Sequence, residues 1–368
     1  MGKRLGRCGM KNELQSFWQG KKVFLTGHTG FKGSWLSLWL QHLGADVCGY
    51  ALAPEGDINL FTQARVAQQM QSVVGDICDP AFLLQTMQTF KPDIVLHLAA
   101  QSLVRHSYQH PVDTYQVNVM GTVHVLEAAR HTPSVRAVVN ITSDKCYANR
   151  EMIWGYRENE PMGGFDPYSS SKGCAELVTD AYRNSFFMDA GIGLASARAG
   201  NVIGGGDWAS DRLVPDVMRA CIAEQNVVLR FPHAVRPWQH VLEPLQGYLQ
   251  LARLLYNDPV QYSQGWNFGP TQQKTHEVGW IVEHLLQIWD GVSKVDYQSE
   301  HQPHEAHSLA LDSSKATSYL HWSPRWELLD TLKNIVVWHK TALVEDNMRA
   351  FTLQQIDEYL GCDPHSVV

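Results

Sequence analysis

The sequence lacks the features that mark three common classes of protein. Its seven cysteines are an odd number without a C-x-x-C pair, which is typical of reduced thiols in a cytosolic protein. No run of lysine and arginine occurs, and the formal net charge of −7 argues against nucleic acid as the main partner. No apolar run approaches the roughly 20 residues that span a bilayer, and no apolar segment follows the basic N-terminus, so a secretory signal is not expected. We therefore expect a cytoplasmic protein.

A glycine-rich turn near the N-terminus follows a short apolar run and precedes a helical pattern. Glycines stand at 27, 30 and 33, after the predicted strand at 23–26 and before a helix that begins near Ser34. In such turns the glycines permit a tight bend, close approach of a pyrophosphate and packing of helix on strand. The triplet alone is as typical of a plain tight turn, but the flanking strand and helix favour a dinucleotide site. The predicted contacts are Gly27, Thr29, Gly30, Phe31 and Gly33.

The alternation continues along the chain and predicts an α/β fold built on a doubly wound parallel sheet of the Rossmann type. Further strands are predicted at 46–50, 71–74, 94–100, 136–142 and 192–197, and long helices at 112–131 and 168–187. We expect a flexible tail over 1–15 and an NAD-binding domain over 16–200 with a return segment at about 240–270. A smaller C-terminal α/β lobe, formed by 201–239 and 271–368, is expected to bind the substrate.

The strand ends indicate which dinucleotide is bound. No lysine or arginine occurs between Ser34 and Ala64 that could bind the 2′-phosphate of NADP, which favours NAD as the cofactor. Asp76 follows the third predicted strand, and we place it with Ile77 beside the adenosine. The next strand ends in small or apolar residues, against which a cofactor can lie. They are Leu98, Ala99 and Ala100.

A tyrosine and a lysine four residues apart suggest proton chemistry. Tyr168 and Lys172 share one face of a predicted helix. A phenol has a pKa of about 10 in water, and a nearby cation is expected to lower it so that the phenolate acts as a base. Chance also places such pairs on long helices. Ser143 and Asp144 follow a predicted core strand, where a cap or turn is the plainer interpretation, but together with the glycine turn they favour a catalytic site.

Several segments resemble the extended short-chain dehydrogenase/reductases and, within them, the nucleotide-sugar 4,6-dehydratases. The segments are 27–36 (GHTGFKGSWL), 142–147 (TSDKCY), 200–208 (GNVIGGGDW), 236–241 (RPWQHV) and 304–307 (HEAH). The resemblance covers nearly everything after about Trp18. It implies NAD as cofactor, a nucleotide diphosphate hexose (CDP-glucose) as substrate, and a homodimer or homotetramer. It also implies a 4-keto-6-deoxy sugar product that feeds dideoxyhexose synthesis for lipopolysaccharide O-antigen.

The resemblance further implies a role for each catalytic candidate. Tyr168 takes the proton of the sugar 4-hydroxyl during oxidation at C4 by NAD, assisted by Ser143 and Lys172. Asp144 protonates the departing 6-hydroxyl as water is lost across C5–C6, and the hydride returns to C6. Lys145 stands where related dehydratases usually carry glutamate. It is either the base for C5, which we favour, or an electrostatic stabiliser of the enolate.

Substrate contacts are predicted from position and charge, since arginine suits bidentate contact with phosphate. The candidates are Gln101, Ser102, Arg105, Asn201, Arg212, Arg230, Arg236 and His307. Asn118, on the helix after Ala100, is expected to support the structure and to neighbour the cofactor. No metal site is predicted, because Pro303 interrupts the helix that His301, His304 and His307 with Glu305 would need in order to converge.

Two other functions remain open from the residues alone. A nucleotide-sugar 4-epimerase would use the same tyrosine, lysine and NAD but has no need of Asp144 and Lys145. A non-catalytic NAD-binding regulatory protein is disfavoured by the presence of Ser143 and Asp144 together with Tyr168 and Lys172.

Overall fold

Strands and helices alternate through the first two thirds of the chain. The computed structural model describes residues 7–229, 231–270, 276–291, 293–297 and 309–361. Its strands are β1 (Lys22–Thr26), β2 (Asp46–Ala51), β3 (Gln71–Val74), β4 (Ile94–His97), β5 (Ala137–Ile141), β6 (Gly193–Arg198), β7 (Val202–Ile203), β8 (Val227–Leu229), β9 (Val235–Arg236), β10 (Gln239–His240), β11 (Gly265–Asn267), β12 (His276–Glu277) and β13 (Val295–Tyr297). Its α-helices are α1 (Arg7–Trp18), α2 (Phe31–His42), α3 (Leu60–Gln63), α4 (Pro80–Phe90), α5 (Val104–Gln109), α6 (Pro111–Tyr115), α7 (Gly121–Arg130), α8 (Pro167–Tyr182), α9 (Leu213–Ile222), α10 (Leu242–Asn257), α11 (Pro259–Tyr262), α12 (Val278–Trp289), α13 (Ser314–Tyr319), α14 (Leu328–Ala342) and α15 (Arg349–Leu360).

Seven parallel strands form the central sheet, in the order β11-β6-β5-β4-β1-β2-β3. The predicted doubly wound parallel sheet is therefore confirmed. The chain runs from β1 outward to β2 and β3, then crosses back to β4 on the other side of β1. This reversal leaves a crevice at the carboxyl ends of β1 and β4, which is where open α/β sheets bind their ligands.

Both faces of the sheet are buried, so its strands are apolar throughout. On β1, Val23 and Leu25 contribute to one core cluster and Phe24 to the other, because successive side chains point to opposite faces. The first cluster includes α2, α10 and α15, and the second includes α4 and α7. The sheet is thus held rigidly between two helical layers, with its carboxyl edge left for the site.

The N-terminal segment differs from the prediction of a flexible tail over 1–15. A helix, α1, covers Arg7–Trp18, and Leu14 and Trp18 are fully buried in the first core cluster. Glu13 also pairs with Arg253 of α10. The prediction was wrong from residue 7 onward, because the apolar partners of this helix lie far along the chain.

The two long helices predicted around the site are present, and each contains a π-helical stretch. The first comprises α6, the π-turn Gln116–Met120 and α7, and the second comprises α8 and the π-turn Arg183–Phe187. A π-turn inserts one residue into the helical repeat and shifts the face that follows. Asn118 lies within the first of them.

A third apolar cluster lies outside the sheet, where α9, α12 and α14 bury apolar side chains against one another. Short two-stranded pairs accompany it: β8 with β13 and β7 with β10 are parallel, and β9 with β12 is antiparallel. The proline-rich stretch predicted not to form a central strand contributes β9, which lies outside the main sheet. Across the described ranges, no helix combines the length and apolar character needed to cross a bilayer.

Candidate active site

The glycine turn forms a close-fitting cradle between β1 and α2. Gly27 has a φ of +78°, and a side chain there would place its Cβ 2.7 Å from the backbone nitrogen of Ala99. A Cβ on Gly33 would lie 2.0 Å from the carbonyl oxygen of Gly27. No side chain caps α2 at Gly30, so the first amides of this helix are available to an anion. The turn therefore fits the diphosphate of a dinucleotide.

The other predicted cofactor contacts lie at the same edge of the sheet. Asp76 is exposed after β3, and its Oδ1 accepts a hydrogen bond from the amide of Cys78 at 2.8 Å. Thr29 donates to the carbonyl of Leu52 at 3.0 Å, across the end of β2. The remaining candidates line the turn and the strand ends; they are Phe31, Ile77, Leu98, Ala99 and Ala100.

Helix α8 begins so that its first turn faces this crevice. Asp166 caps it by accepting hydrogen bonds from the amide of Ser169 at 2.9 Å and from its hydroxyl at 2.6 Å, and Pro167 occupies the first helical position. Tyr168 and Lys172 follow one turn apart, 8% and 6% exposed. The local sequence therefore fixes where the phenol and the ammonium enter the site.

Ser143 and Asp144 meet Tyr168 from the end of β5. Ser143 caps a short 3-10 turn over Asp144–Cys146, and its hydroxyl donates to Asp144 Oδ1 at 2.9 Å. The Ser143 hydroxyl also lies close enough to the Tyr168 phenol to lower its pKa. Ser143 thus bonds to Asp144 and acts on Tyr168, so the three side chains form one buried group. Lys145 follows, with its backbone amide bonded to the Ser143 hydroxyl at 3.2 Å.

The pKa of the Tyr168 phenol is shifted in the direction opposite to the expected one. Burial raises the pKa of Tyr168 to about 12; the charges of Asp144 and Asp166 add to the rise, and Ser143 and Arg212 oppose it. The predicted lowering by the lysine neighbour is therefore wrong for this structure, because loss of solvation dominates. Burial also lowers the pKa of Lys172 to about 8, against the opposing effect of Glu176.

A buried ion pair lies behind Lys172. Glu176, one turn further along α8, pairs with Arg198 of β6 at 2.8 Å. It also accepts hydrogen bonds from the hydroxyls of Thr142 at 2.5 Å and Ser196 at 2.7 Å. Since Thr142 directly precedes Ser143, this carboxylate connects the catalytic helix to the strand that carries Ser143 and Asp144.

Asn118 and Gln101 support the site. Asn118 accepts from the amide of Gln101 at 2.8 Å and donates to its carbonyl at 2.9 Å and to the Ser171 hydroxyl at 2.8 Å. The side chain of Gln101 is bonded to Thr114 and to the amide of Leu103. Asn118 therefore holds the loop after β4 against α8, and the side chain of Gln101, predicted to contact substrate, is bonded to α6 and to its own loop.

Two of the predicted arginines bridge the crevice. Arg212 donates to Asp207 Oδ2 at 3.0 Å and to the Ser102 hydroxyl at 2.9 Å. Arg105 donates to Asp211 Oδ1 at 3.0 Å. The segment 207–212 is thereby held against the loop and helix that follow β4.

The remaining substrate candidates are more scattered. Asn201, with a φ of +51°, donates to Asp144 Oδ2 at 3.4 Å, so it touches the catalytic carboxylate. Arg236 lies on β9 and donates to the carbonyl of Val235. Arg230 and His307 lie outside the described residues, as do the other members of the histidine cluster, His301, His304 and Glu305.

Comparison with known proteins identifies the family. A family model described as GDP-mannose 4,6 dehydratase matches residues 24–335. A Salmonella typhimurium protein named CDP-glucose 4,6-dehydratase is 54% identical over 352 residues, which cover 94% of this chain and 98% of that protein. The chain belongs to the family of nucleotide-sugar 4,6-dehydratases.

Solved structures related to this nucleotide-sugar 4,6-dehydratase share its fold. A dTDP-glucose 4,6-dehydratase from Bacillus anthracis, in complex with NAD, superposes with a TM-score of 0.73 at 19% identity, covering 88% of this chain and 97% of that chain. An epimerase from Methanothermobacter thermautotrophicus gives a TM-score of 0.78 at 21% identity, covering 94% and 97%. The fold is thus common to dehydratases and epimerases.

The sequence prediction for this 4,6-dehydratase missed one charged residue of the site. Lys32 lies in the glycine turn, and the charges of Arg212, Asp144, Lys172 and Asp207 all act on its ammonium. The contacts predicted in this turn were Gly27, Thr29, Gly30, Phe31 and Gly33, and Lys32 was not among them. The one local signal for a role of Lys32 was its place between two glycines of the turn.

Proposed function

We propose that this chain converts CDP-glucose to CDP-4-keto-6-deoxyglucose and water, with NAD as a cofactor that is regenerated in each turnover. The observation that carries the proposal is the buried group of Tyr168, Ser143 and Asp144, in which the Ser143 hydroxyl donates to Asp144 Oδ1 and acts on the Tyr168 phenol. It brings together the phenol, the hydroxyl and the carboxyl group that the proposed proton transfers need. The identity of 54% to a CDP-glucose 4,6-dehydratase supports the choice of substrate.

The residues divide the proton transfers between them. When bound, NAD supplies a hydride acceptor and donor and a positive charge beside the sugar. Tyr168 removes the 4-hydroxyl proton, and Ser143 hydrogen-bonds the same oxygen. The resulting ketone acidifies the C5 proton, and Asp144, which is 4% exposed, protonates the 6-hydroxyl as it leaves as water. Lys172 keeps positive charge beneath the phenolate.

Lys145 is the candidate base for C5. It follows Asp144 on the same turn, and its backbone amide is held by Ser143. In the variant Lys145→Met we expect C4 oxidation to proceed and elimination to fall at least tenfold, because the side chain can neither take the C5 proton nor stabilise an enolate. Acid quenching and mass spectrometry should then detect a nucleotide sugar lighter by two hydrogens. Full turnover in this variant would remove Lys145 from the reaction.

The main competing function is 4-epimerisation, which needs no acid for a 6-hydroxyl. The buried position of Asp144, which accepts a hydrogen bond from Ser143 beside Tyr168, favours elimination. A panel of CDP-, TDP-, UDP- and GDP-hexoses with added NAD tests both ideas by product mass. We expect CDP-glucose to give a product lighter by one water. An unchanged mass with altered stereochemistry would indicate an epimerase, and no turnover with any sugar would favour a non-catalytic NAD-binding protein.

We also propose a homodimer or homotetramer, acting in the cytoplasm and supplying dideoxyhexose synthesis for O-antigen. The helices α6 and α8 pack together and leave large apolar side chains exposed, among them Val112 at 81% and Leu177 at 60%. Such a face is suited to a second copy of the chain. Sedimentation analysis measures the assembly directly.

A further inference from the structure

Lys32 occupies an unusual position at the start of α2. It is the second residue of this helix and stands between Gly30 and Gly33 of the glycine turn. Its backbone therefore belongs to the cradle that fits a diphosphate, but its ammonium acts electrostatically on groups of three other elements. Asp144 follows β5, Lys172 lies on α8, and Asp207 and Arg212 belong to the segment that bridges the crevice. The side chain thus extends from the cofactor turn toward the catalytic groups.

The charges around Lys32 do not balance. Two cations, Lys172 and Arg212, and two carboxylates, Asp144 and Asp207, act on the Lys32 ammonium; Glu176, which acts on Lys172, is paired with Arg198. Arg212 already pairs with Asp207 at 3.0 Å, and Asp144 accepts hydrogen bonds from Ser143 and Asn201. Within the described part of the chain no hydrogen bond or ion pair engages the Lys32 ammonium. Among the residues described, the charge of Lys32 is left without a partner in a partly buried crevice, and a bound anion would neutralise it.

We propose that Lys32 binds the diphosphate group of a bound nucleotide through its ammonium, and so acts as a ligand-binding residue in addition to the backbone of the glycine turn. The inference rests on the proposed function, which brings two diphosphates to this crevice, one in NAD and one in the nucleotide sugar. Both present the same chemistry, a pair of linked phosphates that accept charge-assisted hydrogen bonds.

Binding at Lys32 has a signature in proton uptake. Burial and the charge of Arg212 lower the pKa of Lys32 to about 8, although Asp144 and Asp207 oppose the shift and Lys172 adds to it. Near pH 8 the free protein is therefore only partly protonated at this side chain. A diphosphate beside the ammonium favours its charged form and raises the pKa, so binding draws up to about half a proton from solution.

Titration calorimetry of the full chain at pH 8, in two buffers of different ionisation enthalpy, measures affinity and proton uptake together. NAD and CDP are titrated separately, so that the two arms identify which diphosphate is bound. In Lys32→Met we expect affinity for one of them to fall by roughly 10- to 100-fold and uptake to decrease. Lys32→Arg should keep near-native affinity but show the reduced uptake, because arginine does not titrate in this range. Lys333→Met, at an exposed lysine of α14, is the matched control.

The pattern across the variants decides the outcome. The proposal is supported if Lys32→Arg keeps the nucleotide affinity that Lys32→Met loses, and if both variants show reduced proton uptake. Lys32→Met binding both NAD and CDP within about twofold of the unaltered protein, with unchanged uptake, overturns it. The experiment involves no turnover, so it is separable from the proposed reaction. If the unaltered protein fails to dehydrate CDP-glucose but Lys32→Met still loses affinity, the reaction is wrong and the binding role stands.

Discussion

Tyr168→Phe is expected to lower kcat by roughly 10³-fold while leaving NAD affinity close to that of the unaltered protein. The substitution removes the hydroxyl group that is proposed to take the 4-hydroxyl proton of the sugar. It keeps the ring that fills this buried position, so the fold should be retained. Turnover is measured as nucleotide sugar lighter by one water. Tyr319→Phe, at a tyrosine that is 59% exposed, removes the same atom elsewhere and should change nothing.

The pH dependence of kcat/KM provides a second test of the role of Tyr168. Because the pKa of Tyr168 is raised to about 12, the phenolate fraction grows as pH rises, and kcat/KM should rise with it. The rise should slow where Lys172, with a pKa lowered to about 8, loses the charge that supports the phenolate. Retention of more than a tenth of kcat in Tyr168→Phe, or a flat profile from pH 6 to 8, would contradict the assignment of Tyr168 as the base.

Glu176→Gln is expected to reduce the free energy of unfolding by about 3–5 kcal/mol. The change removes one charge of a buried pair with Arg198, leaves the guanidinium uncompensated, and disturbs the bonds to Thr142 and Ser196. Urea denaturation at neutral pH measures the loss. Glu127→Gln, which breaks the partly exposed pair with Arg130, is the control and should cost no more than about 1 kcal/mol.

The cost of Glu176→Gln should depend on pH. Burial alone would raise the pKa of Glu176, but the charge of Arg198 and hydrogen bonds from Arg198, Thr142 and Ser196 hold it below its usual value. A carboxylate with a depressed folded-state pKa stabilises the protein above its unfolded pKa and loses that contribution as pH falls through the folded value. The difference between Glu176→Gln and the unaltered protein should therefore shrink in acid below about pH 4. An equal difference at all pH values would exclude a charge effect.

The main sheet could be predicted because its strands are short, apolar and separated by amphipathic helices. β1 and β5 coincide with the predicted runs to within one residue at each end. Other elements gave no local signal. Helix α1 is stabilised by burial of Leu14 and Trp18 against elements far along the chain, and strands of two or three residues such as β9 exist through a partner distant in sequence.

The sequence predicted which residues form the site, but not the direction of the Tyr168 pKa shift or the position of Lys32. Spacing identified Tyr168 and Lys172, and position after a strand identified Ser143 and Asp144. The direction of the Tyr168 pKa depends on burial, which spacing does not reveal. The position of Lys32 among catalytic groups arises from contacts between segments more than one hundred residues apart.

The bridges Arg212–Asp207 and Arg105–Asp211 have a consequence for ionic strength. An arginine that already holds a carboxylate exchanges one anionic partner for another when it receives a phosphate. Added salt weakens the bond that is broken as well as the bond that is formed. The nucleotide affinity of this crevice should therefore be less sensitive to salt than its number of arginines suggests.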